Sequence, residues 1–350
     1  MAAAAFVAIV AIASALYLVW GFRSLTRENR QIIAALPLVK SPDGTWRGRN
    51  LTWYGLLSAN AAAAGVALAL VLLGSVHAPL GAVGAVVVAL FALCLPAAKL
   101  VARLVEGKAH TFTIGGASFV GVVALPWIAQ GVGTLGAARF GWTLPVLPVL
   151  AAVGVAYAFG EGLGRLACLS FGCCYGRRVS DCSPAIRRLF KRWSTVLLGD
   201  TKKIAYAGGP VGERTVPVQS MTAVLYVATA LAGTGLFFAS RYGAAFALTI
   251  LVTQGWRTAS ELLRADWRGT GRVSAYQVMS AFAVVYAGGI ALWFPAGAVD
   301  AANVLHGLTA LWTLPAVLFV QGLWAVVFVY LGRSFVTEAS LRFHVCHDRI

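Results

Sequence analysis

Residues Trp142–Phe159, WTLPVLPVLAAVGVAYAF, run without a charge into Gly160–Arg178, GEGLGRLACLSFGCCYGRR, and the reading of that junction decides the fold. The first part is apolar enough to cross a hydrocarbon core as a helix, which takes about 20 such residues. The second part sets Glu161 and Arg165 four residues apart at the membrane-embedded end of the same helix. One helical face then carries both, and they can pair. A charge at that depth costs on the order of 2.5–3.5 kcal/mol on insertion scales, so it marks a candidate functional site. The plain alternative is an arginine snorkelling from a helix end to the headgroups. Glycines and cysteines crowd the positions up to Tyr175, and a basic loop follows.

The rest of the chain repeats the apolar half of this pattern. Of its 350 residues, 59% are hydrophobic and 11% charged, against about 25% charged in soluble domains. The expected fold is an all-α, polytopic transmembrane bundle. Apolar runs at about 4–22, 51–74, 81–101, 112–133, 142–164, 217–240, 243–263, 274–297 and 313–332 predict roughly nine spans. The first run lacks a basic leading region and a small-residue cleavage site before a soluble domain, so it reads as a retained helix. No internal repeat, low-complexity linker or soluble domain interrupts the series.

The net charge of +16 is unevenly placed. With nine spans, one membrane face receives the loops at 23–50, 102–111, 175–216 and 264–273 and the C-terminal tail. With Lys99, Arg165 and Arg257 near it, that face holds every Lys and Arg except Arg139 and Arg241. The positive-inside rule makes it cytoplasmic. Recruitment of anionic headgroups, at about 1 kcal/mol per basic residue near the surface, produces the same asymmetry. Nucleic-acid binding is disfavoured, because no basic segment is interleaved with exposed aromatics.

Of six cysteines, four fall in the pattern C-x4-C-C-x7-C: Cys168, Cys173, Cys174 and Cys182. No paired C-x2-C or partnering histidine spacing accompanies them, so no metal is expected. A disulfide from Cys182 to Cys173 or Cys174 fits an extracytoplasmic loop; small apolar groups lining a helix end fit otherwise. A second charged helix end lies at Arg257, Glu261 and Arg264, spaced to share one helical face. By parity it meets Arg165 on the same membrane face. Two helices thus deliver arginines to one place, and guanidinium groups suit bidentate capture of phosphate. His110 is a candidate base if it turns inward. The small residues Gly115–Gly121 permit close approach of a helix or a ligand.

Five blocks and part of a sixth together resemble the bacterial prolipoprotein diacylglyceryl transferases, as a divergent branch. Trp53-Tyr54-Gly55-Leu56 resembles the family's WYGL, and Gly115-Gly116-Ala117-Ser118-Phe119 its GGxSF. The run from Gly164-Arg165 to Gly176-Arg177 is similar to the signature GRxGNFxNxExxGR. Gln254 to Arg257 with Glu261 and Arg264 is similar to YGxxRxxxExxR, and Ser274, Gln277 and Ser280 to the SxxQxxS that follows. Pro217 and Gln219 match part of HPxQ. The resemblance covers about residues 50–297. It implies a seven-helix core at 51–297 with a polar loop at about 175–216. An extra helix and basic loop would precede it at 1–50, and an extra helix and tail would follow at 298–350.

The resemblance further implies transfer of a diacylglyceryl group from phosphatidylglycerol to the lipobox cysteine of a lipoprotein precursor, without a cofactor. It implies a multi-pass protein of the bacterial plasma membrane whose site faces away from the cytoplasm. Arg165 and Arg257 would hold the headgroup phosphate, with Glu261 in the catalytic set. Tyr54, Arg264, Gly116, Gln219 and Glu161 would bind substrate. The departures concern the proton acceptor. The family's histidines fall on Val120 and Val216, its signature asparagines on Cys168 and Phe171, and its glutamate on Cys173. Replacement bases or nucleophiles are His110, Glu161, Cys168 or Cys173, since an arginine beside a thiol favours thiolate. The alternative is a non-catalytic glycerophospholipid-binding or assembly protein that has lost the histidine.

Overall fold

The computed structural model describes residues 1–107, 113–265, 273–294 and 301–350. In chain order these form α1 (Ala2–Ser24), β1 (Ile32–Lys40), β2 (Trp46–Thr52), α2 (Trp53–Gly74), α3 (Leu80–Glu106), α4 (Ile114–Phe140) and α5 (Val146–Phe171). There follow α6 (Pro184–Phe190), α7 (Lys203–Tyr206), α8 (Val218–Phe238), α9 (Tyr242–Ser260), α10 (Ala275–Trp293), α11 (Val304–Leu311), α12 (Leu314–Gly332) and β3 (Arg333–Leu341). Among the described residues, eight helices are long and apolar enough to cross a membrane. The ninth expected span, α9, is more polar than these. Thr249, Thr253, Gln254 and Arg257 are buried on it, so its polar face is turned towards neighbouring helices while Leu251 stays exposed.

The hub is α5, buried along most of its length from Leu147 to Ser170 and packed against α2, α8 and α9. Lipid gives little hydrophobic drive to helix association, so close contact between small residues has to supply it. A Cβ on Gly160 would come within 3.2 Å of the Ala61 carbonyl of α2, and one on Gly162 within 3.0 Å of the Val227 nitrogen of α8. The sequence places Glu161 between these contacts and Arg165 one turn beyond it, and the packing therefore fixes where they point.

The two ends of the chain depart from the all-helical expectation. Segments read as a basic loop and a tail form a three-stranded antiparallel sheet in the order β1-β2-β3. A turn at Ser41-Pro42-Asp43-Gly44 closes the first hairpin. Thr45 N–H donates to Asp43 Oδ1 at 3.1 Å, Ser41 N–H donates to the Thr45 carbonyl at 2.7 Å, and Gly44 takes φ +83°. Pro37 hid β1 from sequence reading, since proline removes a ladder donor and is tolerated only on edge strands or at bulges. Here it sits on the edge strand, beside an irregularity in the register. β3 pairs with β2 across nearly the whole sequence, a partnership no local pattern encodes. The extra end helices are also tied in: a Cβ on Gly55 of α2 would lie 2.1 Å from Gly332 at the end of α12.

The polar stretch after α5 folds as a cap over the same end of the bundle. Its anchor is Lys202, fully buried, whose Nζ donates to the Leu25 carbonyl at 2.8 Å and the Leu169 carbonyl at 3.4 Å. One ammonium thus serves the C-terminal ends of α1 and α5, where carbonyls are unsatisfied and the dipole is negative. Burial pushes its pKa down to about 8. Gln31 Nε2 donates to the Thr201 carbonyl at 2.7 Å, and Leu198 N–H to the Thr26 carbonyl at 3.0 Å. These bonds join the cap to the chain between α1 and β1.

Candidate functional site

α5 contributes a ladder of Tyr157, Glu161 and Arg165, each one turn beyond the last. α9 crosses it and brings Arg257 to the same carboxylate oxygen. Glu161 Oε1 accepts from Arg165 and, at 2.6 Å, from Nη2 of Arg257. The Tyr157 hydroxyl accepts from Arg257 Nη2 and from Gln254 Nε2, each at 3.3 Å. All three charged side chains are at most 9% exposed. Two guanidinium groups share one carboxylate, so the cluster carries one positive charge in excess. Buried polar groups are normally paired, yet Nε of both arginines and Oε2 of Glu161 have no hydrogen-bond partner among the described residues.

The two arginines line a narrow cleft with Cys174, Gln219, Thr222, Tyr226, Trp256, Ser260 and Arg264. Its walls are fixed by bonds among the other lining residues. Trp256 Nε1 donates to Thr222 Oγ1 at 2.8 Å, Tyr226 donates to the Thr253 carbonyl at 2.6 Å, and Gln219 Nε2 donates to the Cys173 carbonyl at 2.9 Å. Surplus positive charge and unpaired N–H donors beside this cleft are the chemistry that pairs with an anionic oxygen.

The turn after α5 builds the far wall. Gly172 ends the helix at φ +72° in the left-handed conformation that favours glycine. Its N–H and that of Cys173 both donate to the Cys168 carbonyl, at 2.9 and 3.1 Å. Cys174 then takes φ +59° without being glycine, at a cost of about 1–2 kcal/mol. The chain doubles back, and the sulfurs of Cys168, Cys173 and Cys174 all lie within 4.8 Å of one another. Residues 175–178 next run between two other segments. Arg177 N–H donates to the Leu263 carbonyl, Val216 N–H to the Arg177 carbonyl (both 2.9 Å), and Ala265 N–H to the Tyr175 carbonyl at 3.1 Å. Gly176 allows this approach, since a Cβ there would sit 2.3 Å from the Val216 carbonyl.

The structure joins some of the expected residues and separates others. Arg165, Arg257 and Glu161 meet directly, and Arg264 and Gln219 line their cleft. Tyr54 lies against Phe171, ring centroids 5.3 Å apart and tilted by 53°, and is not among the residues lining the cleft. Glu261 does not share a helical face with Arg257. α9 ends at Ser260, a short 3-10 turn follows, and Glu261 lies 3.8 Å from Arg264. Gly116 faces Val101 of α3, whereas a Cβ on Gly115 would be 3.3 Å from Arg257 Nη1. Gly116 is therefore a packing position and Gly115 the one beside the cluster. No disulfide forms, because Cys182 packs instead with Val179, Phe190, Val216 and Val218. His110 lies outside the described residues.

Tyr157, Gln254 and Trp256 were missed as site residues. The spacing of Tyr157 to Glu161, one turn on the same face, was the available signal. Nothing local distinguishes Trp256 from an interfacial anchor.

A family model described as prolipoprotein diacylglyceryl transferase matches residues 46–294. No curated protein gives a significant match. The matched segment is more than two thirds of the chain and holds the paired arginines, their shared carboxylate and the cleft. With its apolar helices packed around that cleft, the chain is a membrane-embedded helical bundle belonging to the prolipoprotein diacylglyceryl transferase family, whose activity is a transfer in lipoprotein biosynthesis.

Proposed function

We propose that the protein transfers a diacylglyceryl group from phosphatidylglycerol to a cysteine thiol of a lipoprotein precursor. The observation that carries this reading is the pair of buried arginines around a single carboxylate, with unpaired Nε donors. The acceptor sulfur attacks the glycerol carbon that bears the phosphate ester. A C–S bond forms, the C–O bond breaks, and glycerol phosphate leaves with the electron pair. Charge grows on the phosphate oxygen as that bond breaks. Donors fixed in a water-poor cleft stabilise such charge without reorganising.

In this reading Glu161 holds both guanidinium groups in position, Tyr157 braces Arg257, and Arg264, Gln219 and Tyr54 contact the headgroup. Cys168 and Cys173 do not serve as covalent relays. A diacylglyceryl group on either would be a thioether, and a thiolate is a poor leaving group from carbon. The transfer is therefore direct. The site faces the extracytoplasmic side of a bacterial plasma membrane, where lipoprotein precursors present their lipobox.

The test uses purified protein, labelled phosphatidylglycerol and a lipobox peptide. Arg165→Ala and Arg257→Ala, checked for folding, are expected to abolish peptide lipidation, a loss of at least ~100-fold for removal of one such donor. Unchanged turnover in both would sink the assignment. Binding of the lipid by the wild-type protein without any peptide product would favour the non-catalytic alternative. That alternative draws on Val216, which is fully buried with its backbone committed to the strand-like ladder.

A further inference from the structure

We propose that Cys168, Cys173 and Cys174 hold one thiophilic divalent cation, zinc being the fitting case, whose open fourth position takes the acceptor's cysteine sulfur as thiolate. This rests on the transfer reading above and supplies what that reading lacks, a means of deprotonating the acceptor.

The geometry comes first. Zinc bonds thiolate at about 2.3 Å, so a tetrahedral site sets its sulfurs about 3.8 Å apart. The three sulfurs already lie within 4.8 Å of one another, and rotation of the side chains closes the remainder. Three protein ligands with one open position is the arrangement of catalytic rather than structural zinc. Backbone strain supports the same grouping: Gly172 and Cys174 both adopt left-handed φ, and this turn brings two of the sulfurs back onto the third. The fourth cysteine of the sequence cluster, Cys182, stands apart, its Sγ donating to the Arg178 carbonyl at 3.3 Å.

Placement is the second observation. Cys174 lines the same cleft as Arg165 and Arg257, so a sulfur bound at the metal would face a phosphate ester held by the arginines. The two valines standing where the family's histidines fall cannot take a proton. A metal removes the need for a base, because a coordinated thiol is deprotonated outright. The step balances. The acceptor S–H releases its proton to solvent on coordination, and the thiolate forms the C–S bond as the C–O bond breaks. The electron pair leaves on glycerol phosphate, and the thioether, a weaker ligand, departs. No oxidant or reductant is involved.

The experiment measures metal in the full-length protein, purified in detergent under reducing conditions without chelator and then equilibrated with zinc. Elemental analysis is expected to find about one zinc per chain. Cobalt substitution is expected to give a thiolate-to-metal charge-transfer band. Cys168→Ser, Cys173→Ser and Cys174→Ser should each lose most of the metal, and Cys182→Ser should keep it. Because a serine variant can fail to fold, the wild-type protein is also stripped with a strong chelator, checked by size exclusion, and reloaded. Peptide lipidation should vanish on stripping and return with zinc. Failure to take up zinc, retention of zinc by a triple serine variant, or full activity of stripped protein would each overturn the metal site while leaving the transferase reading standing. Zinc-loaded protein that never lipidates the peptide would overturn the transferase reading instead, and the activation role with it.

Discussion

At the scale of single residues, Glu161 sets the charge balance of the cleft. One of its oxygens receives both arginines, and the other is buried without a partner. Removing one member of a buried ion cluster leaves uncompensated charge and costs about 3–5 kcal/mol. Glu161→Gln should therefore lower the thermal midpoint more than Arg165→Gln does, since it strands two cations rather than removing one. Anionic detergent or phosphatidylglycerol should restore part of that loss and neutral lipid should not, as read by thermal unfolding in each mixture. Equal midpoints in both lipids would contradict an anion site here. Tyr157→Phe removes only the hydroxyl that accepts from Arg257 and Gln254. About 1 kcal/mol of stability is at stake, with a fall in kcat and little change in KM. The Glu161–Arg165 pair was legible because both partners lie on one helix at fixed spacing. The pairing with Arg257, 96 residues away in sequence, was legible only as convergence on one membrane face.

At the scale of elements, the cap and the signature turn hold the cleft's mouth. Gly176→Ala would drive a methyl into the Val216 carbonyl. Backbone cannot rotate away as a flexible side chain does, so a loss of about 1–3 kcal/mol is expected, together with loss of lipidation. A variant with the wild-type midpoint would show that the ladder around residues 175–178 tolerates opening. Lys202 gives a pH signature. Its folded pKa of about 8 lies below the ordinary lysine value of 10.5, so between those values the unfolded chain binds more protons than the folded one. Stability then rises with pH through that window. The wild-type midpoint minus that of Lys202→Met should accordingly climb as pH goes from about 8 to about 10; a flat difference would contradict the depressed pKa. Sequence reading found the helices from long apolar runs but placed Glu261 on α9. The helix stops at Ser260 because residues 263–265 hydrogen-bond to 175–177 instead, a tertiary demand that overrides the helical spacing.

For the whole molecule, the ends of the chain close on each other. β3 pairs with β2, Arg47 pairs with Glu338 at 3.1 Å, and Asn50 Nδ2 donates to Thr337 Oγ1 at 3.1 Å. The exposed ion pair contributes little, while the ladder seats α12 on α2. Truncation after Gly332 should therefore lower the thermal midpoint even though the family match ends at residue 294. An unchanged midpoint would make the C-terminal strand dispensable. Orientation is the other property of this scale. The site, the cap and the sheet share one end of the bundle, and most of the +16 charge lies there. The transferase reading puts that end outside the cytoplasm, against the positive-inside expectation. A periplasm-active reporter fused after Arg178 should be active and a cytoplasm-active one silent; the reverse result would turn the protein over.

The amino-acid sequence by itself determined the membrane-embedded helical class, the order of the long helices, the family and the Glu161–Arg165 spacing. Each of these follows from apolar run length or from residues spaced along one helix, which are local properties. Only the tertiary structure decided that Glu161 rather than Glu261 joins the two arginines, that the two chain ends form one sheet, and that three of six cysteines converge while Cys182 turns away. Those outcomes depend on which helix faces meet and on where a turn reverses the chain. Packing between distant segments sets both, and no window of sequence contains it.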